Sequence, residues 1–172
     1  MNPYVHWQTV VEGMFQAFKW RYWSPLSIGG RLIEEKGELA REVNHRFGDK
    51  KKRASEESGS IELEIGDIAY TLICLANSMQ YTIRDTVART SGYYNDRNDP
   101  MSLLSRLDGH AGKLNHSLDE RHTRATICSR IAITMKALQE LAASMGVVMD
   151  DAIKKAIDKV TSRDKDRFPD GI

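Results

Sequence analysis

A chain of 172 residues, 41% hydrophobic and 28% charged, is long enough to bury one hydrophobic core and needs no disulfide to do so. Its net charge of +1 excludes the broad basic surface that nucleic acid or anionic lipid would require. The opening MNPYVHWQTV has no basic-then-apolar leader pattern and no apolar run reaches membrane-spanning length, so the expected location is the cytoplasm, with no membrane partner.

Helical periodicity predicts helices over 4–22, 29–47, 59–80, 82–95, 101–119, 122–146 and 149–164, with no alternating strand pattern. The first closes in FKWRYWSP (18–25), which carries Trp20, Tyr22 and Trp23, and SPLSIGG (24–30) reads as its stop. GDKKKRASEESGS (48–60) is a polar loop, NDRNDP (95–100) a turn at Pro100, and Gly146 precedes the last helix. Cys74 and Cys128 lie within helix-like apolar stretches without zinc spacing, as buried thiols of a reducing compartment do. The expected fold is an all-α bundle.

The chemistry lies in two of these helices. On 31–47, Leu32, Ile33, Leu39, Ala40, Val43 and Phe47 project as an apolar stripe, with Glu34, Glu35 and Glu38 together on the neighbouring arc. Lys36 projects into the stripe, where its stem can snorkel to solvent or its charge reach a phosphate or a partner subunit. The segment IELEIGDIAYTLICLANSM (61–79) is apolar almost all round and should be buried, yet Glu64 and Asp67 share one side of it. Buried carboxylates need a cation, and no Lys or Arg occurs between Ile61 and Gln80. Either distant arginines pair with both acids, or the two helices together form an oxygen-ligand site for a hard cation, Mg²⁺ or Mn²⁺. Magnesium completes its shell from substrate phosphates, so such a pocket points to phosphate chemistry on a nucleotide.

In this order, EEKGE (34–38) and EIGD (64–67) resemble the E-E-x-x-E and E-x-x-D signature of the MazG-like, all-α nucleoside triphosphate pyrophosphohydrolases. KVTSRDKDRF (159–168) is similar to the basic tail of many members. The resemblance implies that Glu35, Glu38, Glu64 and Asp67 bind Mg²⁺ and that Glu34 holds a second ion or orients the attacking water. It implies hydrolysis of a nucleoside triphosphate to monophosphate and pyrophosphate. It suggests Trp20 or Trp23 as the base-stacking group and Lys159, Arg163 and Arg167 as phosphate contacts. Asn77 is either a base or sugar contact or a satisfied core amide. A homodimer is the candidate assembly.

A faint repeat divides the chain. LANSM (75–79) recurs as LAASM (141–145) at an offset of 66, shared by Ile65 with Ile131 and Leu72 with Leu138, while RLIEEKGEL (31–39) aligns with RLDGHAGKL (106–114). The expected organisation is a metal-bearing half, 1–99, and a degenerate repeat half, 100–172, completing one compact unit. At the aligned ligand positions the second half carries Gly109, His110, Lys113, Arg130 and Ile133. Two rivals are a non-catalytic helical interaction protein and a di-iron carrier. The latter would use Glu42 and His45, for which Asp119-Glu-Arg-His122 is a poor second motif. SIGGRL (27–32) lacks the G-K-S/T of a phosphate-binding loop.

Overall fold

The computed structural model describes residues 3–53, 59–83 and 99–164. They form six helices: α1 (Pro3–Ala17), α2 (Pro25–Phe47), α3 (Ile61–Ser78), α4 (Pro100–Asp119), α5 (Arg124–Ser144) and α6 (Met149–Asp164). Among the described residues there is no strand. The helix expected over 82–95 falls almost wholly on 84–98, outside the described residues.

Helices α2–α3 and α4–α5 are two antiparallel pairs, with α4 against α2 and α5 against α3. Helices α1 and α6 close over α3. That enclosure explains the composition of α3, whose Ile65, Ile68, Leu72, Ile73 and Leu75 are all fully buried. The two pairs end alike. Tyr81 N donates to Ala76 O at 2.8 Å after α3, and Val147 N donates to Ala142 O at 2.9 Å after α5. Each stop passes through a left-handed residue, Gln80 at φ 51° and Gly146 at φ 71°.

Two expected boundaries move. Helix α1 ends at Ala17 rather than 22, because the chain turns through Lys19 at φ 55° and Trp20 N bonds back to Phe15 O at 2.8 Å. Helix α2 starts at Pro25 rather than 29. Ser24 caps it by accepting from Ser27 N, and Pro25 at the first turn forfeits no hydrogen bond there. The glycines of SPLSIGG therefore lie inside a helix. Gly29 is there because a Cβ would meet Asn115 Oδ1 of α4 at 2.9 Å.

Helix α2 is also rotated from its expected setting. Leu32, Leu39 and Val43 face the core, but Ile33 is 58% exposed and Phe47 40% exposed. The buried side instead includes Glu35 and Glu42. Glu42 accepts from Arg41 Nε at 3.2 Å and Lys52 Nζ at 3.3 Å. Burial opposes its ionisation, but these cations outweigh that and hold its carboxyl below the usual range. Glu42 is thus neutralised by ion pairs with Arg41 and Lys52. Lys36 extends to Asp108 on α4, so its ammonium finds a partner at the helix edge.

Candidate functional site

The acids of α2 and α3 meet on the side of the bundle closed by α6. Ligand oxygens of Glu35, Glu64 and Asp67 lie within 4.8 Å of one another, and all three residues are buried. Glu38, half-buried one turn from Glu35, adds its negative field to both Glu35 and Glu64. Glu34 stands apart, exposed on the wall of an adjoining cleft. Ser60 caps α3 through Leu63 N and so places Glu64 in the first turn, where the helix dipole favours a negative charge.

The cluster is under-neutralised. Arg31, one turn before Glu35, touches the Glu35 carboxylate and pairs with Glu34 at 2.9 Å. Neither Glu35 oxygen receives a well-directed hydrogen bond, and Glu64 Oε2 receives none. Lys159 Nζ of α6 donates to Asp67 Oδ2 at 2.6 Å. The cation that the sequence does not supply locally is brought to Asp67 from a helix 92 residues further along the chain, a lysine rather than an arginine. Burial, with Asp67 and Glu38 adding repulsion against the opposing pull of Arg31, pushes Glu35 from 4.5 up to about 7. Burial and then Glu38, Asp67 and Glu35 push Glu64 to about 7 as well. Three close, buried carboxylates, two of them reluctant to ionise and short of donors, fit a small divalent cation, which takes such oxygens as ligands.

Beside this cluster lies a cleft of about 510 Å³ whose lining includes Glu35, Asp67 and Glu34 together with Trp20, Tyr22 and Trp23. Arg31 and Arg163 border it. Trp20 stacks on Phe18 at 4.8 Å and Tyr22 on Phe15 at 4.1 Å, a packed aromatic floor. Trp23 is 48% exposed. Asn77 is not among the residues that line the cleft: its amide donates to Gln8 O and Tyr22 Oη and accepts from Gln8 Nε2, as a satisfied core amide does. Arg167 lies outside the described residues. Sequence reading passed over Arg31, which was legible as a cation one turn from Glu35, and Gly66, which carried no local signal at all.

The MazG nucleotide pyrophosphohydrolase domain matches residues 23–101, the stretch that holds all five acids. Over 90 residues the chain is 47% identical to the uncharacterized protein YpjD of Bacillus subtilis, spanning 52% of this chain and 81% of that protein. The chain belongs to the MazG family. Its all-α architecture is that of the MazG domain, and the MazG match ends just inside α4. Helix α6, with Lys159 and Arg163, lies beyond the MazG match and nevertheless borders the site. No solved structure matches the chain. Among the described residues no single helix is long and apolar enough to cross a membrane.

The raised carboxyls give a test that needs no substrate. Glu64 holds its proton more tightly folded than unfolded, so its contribution to stability is complete below 4.5 and is lost as pH rises to about 7. Glu64→Gln cannot titrate. Its melting temperature relative to the parent protein, measured in EDTA, is expected to climb between pH 4.5 and about 7 and then level off. A difference that stays flat across this window would show that Glu64 is not a strained carboxyl.

Proposed function

We propose that the chain is a Mg²⁺-dependent nucleoside triphosphate pyrophosphohydrolase, releasing a monophosphate and pyrophosphate. The observation that carries this reading is the junction of donor-poor, buried carboxylates with an aromatic-lined cleft. Glu35, Glu38, Glu64 and Asp67 would hold the ion, with Mn²⁺ able to replace Mg²⁺ on the same oxygen donors. The bound cation supplies neutralisation of phosphate charge and polarisation of a phosphoryl oxygen.

The chain's own residues supply the rest. Trp23, half exposed where it lines the cleft, stacks on the base, and Trp20 adds to the aromatic lining. Arg31 and Arg163 line the same cleft and counter the phosphate charge. Lys159 and Arg167 add positive charge from α6 and the tail that follows it. Glu34, exposed at the cleft wall, accepts a proton from the water whose oxygen attacks the α-phosphorus; the bond from that phosphorus to the bridging oxygen breaks and pyrophosphate leaves. In this reading residues 1–99 carry the metal site, and 100–172 are a degenerate second half whose α4 and α5 stand to α2 and α3 as an internal partner. Replacement of the aligned acids by His110, Lys113 and Arg130 limits the chain to one metal site.

The test is a panel of ribo- and deoxyribonucleoside triphosphates incubated with Mg²⁺, assayed separately for pyrophosphate and orthophosphate. Equimolar monophosphate and pyrophosphate are expected, with no turnover in EDTA. Orthophosphate and nucleoside diphosphate as first products would overturn the assignment of the attacked phosphorus. Absence of turnover on the whole panel would favour the non-catalytic interaction protein.

A further inference from the structure

Helix α6 presents a row of cations at one-turn spacing. Lys155 reaches Glu62, Lys159 reaches Asp67, and Arg163 borders the cleft. What fixes this row is the contact between α6 and α3 at Gly66, where the backbone of Ala152 comes so close that no Cβ fits between them. Lys159 is therefore delivered to the carboxylate cluster by the fold, and its side chain is still 32% exposed.

We infer that Lys159 is the resident counter-ion of the carboxylate cluster, displaced when a divalent metal enters and taken up by the anionic ligand in the cleft. This rests on the reading of the cluster as a metal site. The Lys159 ammonium already uses Asp67 Oδ2 and lies close enough to act on both Glu35 and Glu64. A small divalent ion draws on the same carboxylates at about 2.1 Å, and it repels an ammonium held on one of them. Entry of the metal therefore weakens the hold of Asp67 on Lys159.

Arg31 does not stand in the same position. It keeps Glu34 as a partner at 2.9 Å and can release Glu35 without being left unpaired. Lys159 has Asp67, and once displaced it must find another anion. Its flexible stem leads toward the cleft, because Val160 and Arg163, its neighbours on α6, line that cleft. A triphosphate there accepts the ammonium. Metal and nucleotide thus bind with positive coupling, each making room for the other, and by linkage the enhancement is the same in both directions. The exchange keeps α6 from leaving an unscreened cluster when nucleotide is absent, and it makes metal occupancy report the presence of phosphate.

The experiment is titration of Mn²⁺ alone, followed by calorimetry and by the electron paramagnetic resonance of free Mn²⁺, into the full chain, Lys159→Met and Lys159→Gln. It is repeated with a saturating non-hydrolysable triphosphate analogue. Without nucleotide, Lys159→Met is expected to bind Mn²⁺ about tenfold more tightly than the parent, and the gain in affinity that nucleotide confers should fall about tenfold. Lys159→Gln keeps a neutral donor for Asp67 and is expected to shift affinity in the same direction; it carries the test alone if the Met variant does not fold. Parent-like or weaker Mn²⁺ binding by the folded variants overturns the inference while leaving the metal site intact. No Mn²⁺ binding by any form, with or without the analogue, overturns the metal reading and this inference together.

Discussion

Asp67→Ala is expected to lose more than the roughly 100-fold in pyrophosphate release that even an outer-sphere partner of a metal ligand can cost. Asp67 belongs to the converging carboxylates, is 3% exposed, and faces the cleft and Lys159 at once. No water can replace its charge. The stability change should be modest by comparison, since the substitution strands a part-exposed ammonium but removes one of several carboxylates crowded together. Glu64→Gln is expected to be equally inactive while melting higher than the parent in EDTA at pH 8, because it deletes a buried charge with an oxygen that accepts no hydrogen bond. Measured kcat/KM and thermal melts separate the two effects. Full activity in either variant would dismiss the cluster as the catalytic centre, and collapse of both would make it a folding element.

The second large effect is expected at Gly66, between Glu64 and Asp67. In an ordinary exposed helix, as at Gly37 with no atom within 4 Å of an added Cβ, Gly→Ala stabilises by about 0.5–1 kcal/mol. At Gly66 the sign reverses. An added Cβ would lie 2.1 Å from Ala152 O and 3.1 Å from Ala156 Cβ, and a backbone carbonyl cannot move aside unless α6 moves with it. Overpacking of this kind costs about 1–3 kcal/mol. In a chain of this size each kcal/mol lowers the melting temperature by about 2–4 °C. Displacing α6 also carries Lys159 and Arg163 away from the acids, so Gly66→Ala should lose activity along with stability, while Gly37→Ala keeps both. Gly66→Ala as stable as the parent would show that α6 docks more loosely than the contact implies.

The start of α6 and the burial of α3 were legible residue by residue. Gly146 ends α5, the apolar positions of 149–164 recur at helical spacing, and a segment as uniformly apolar as 61–79 has nowhere to go but inside. The segment before α2 reads as a loop in sequence because Pro and Gly usually break helices. Pro25 instead starts one, and Gly29 serves the crossing with α4. Within the site, Glu64 and Asp67 stood out as acids in an apolar helix, a local contradiction visible without any neighbour.

What the sequence determined by itself was the helical class, the buried place of α3, and the two segments that bear the acids. Those are properties of periodicity within some twenty residues. Only the tertiary structure decided the rotation of α2, since a stripe on a helical wheel does not say which of its edges α3 and α4 will cover; their packing turned Glu35 and Glu42 inward and left Ile33 and Phe47 outside. It alone separated Glu35 from Glu34, which are adjacent in sequence yet differ by burial in one case and exposure in the other. And it alone set Lys159 against Asp67. A charge pair spanning 92 residues leaves no local pattern, because the attraction acts only after α6 has docked on Gly66.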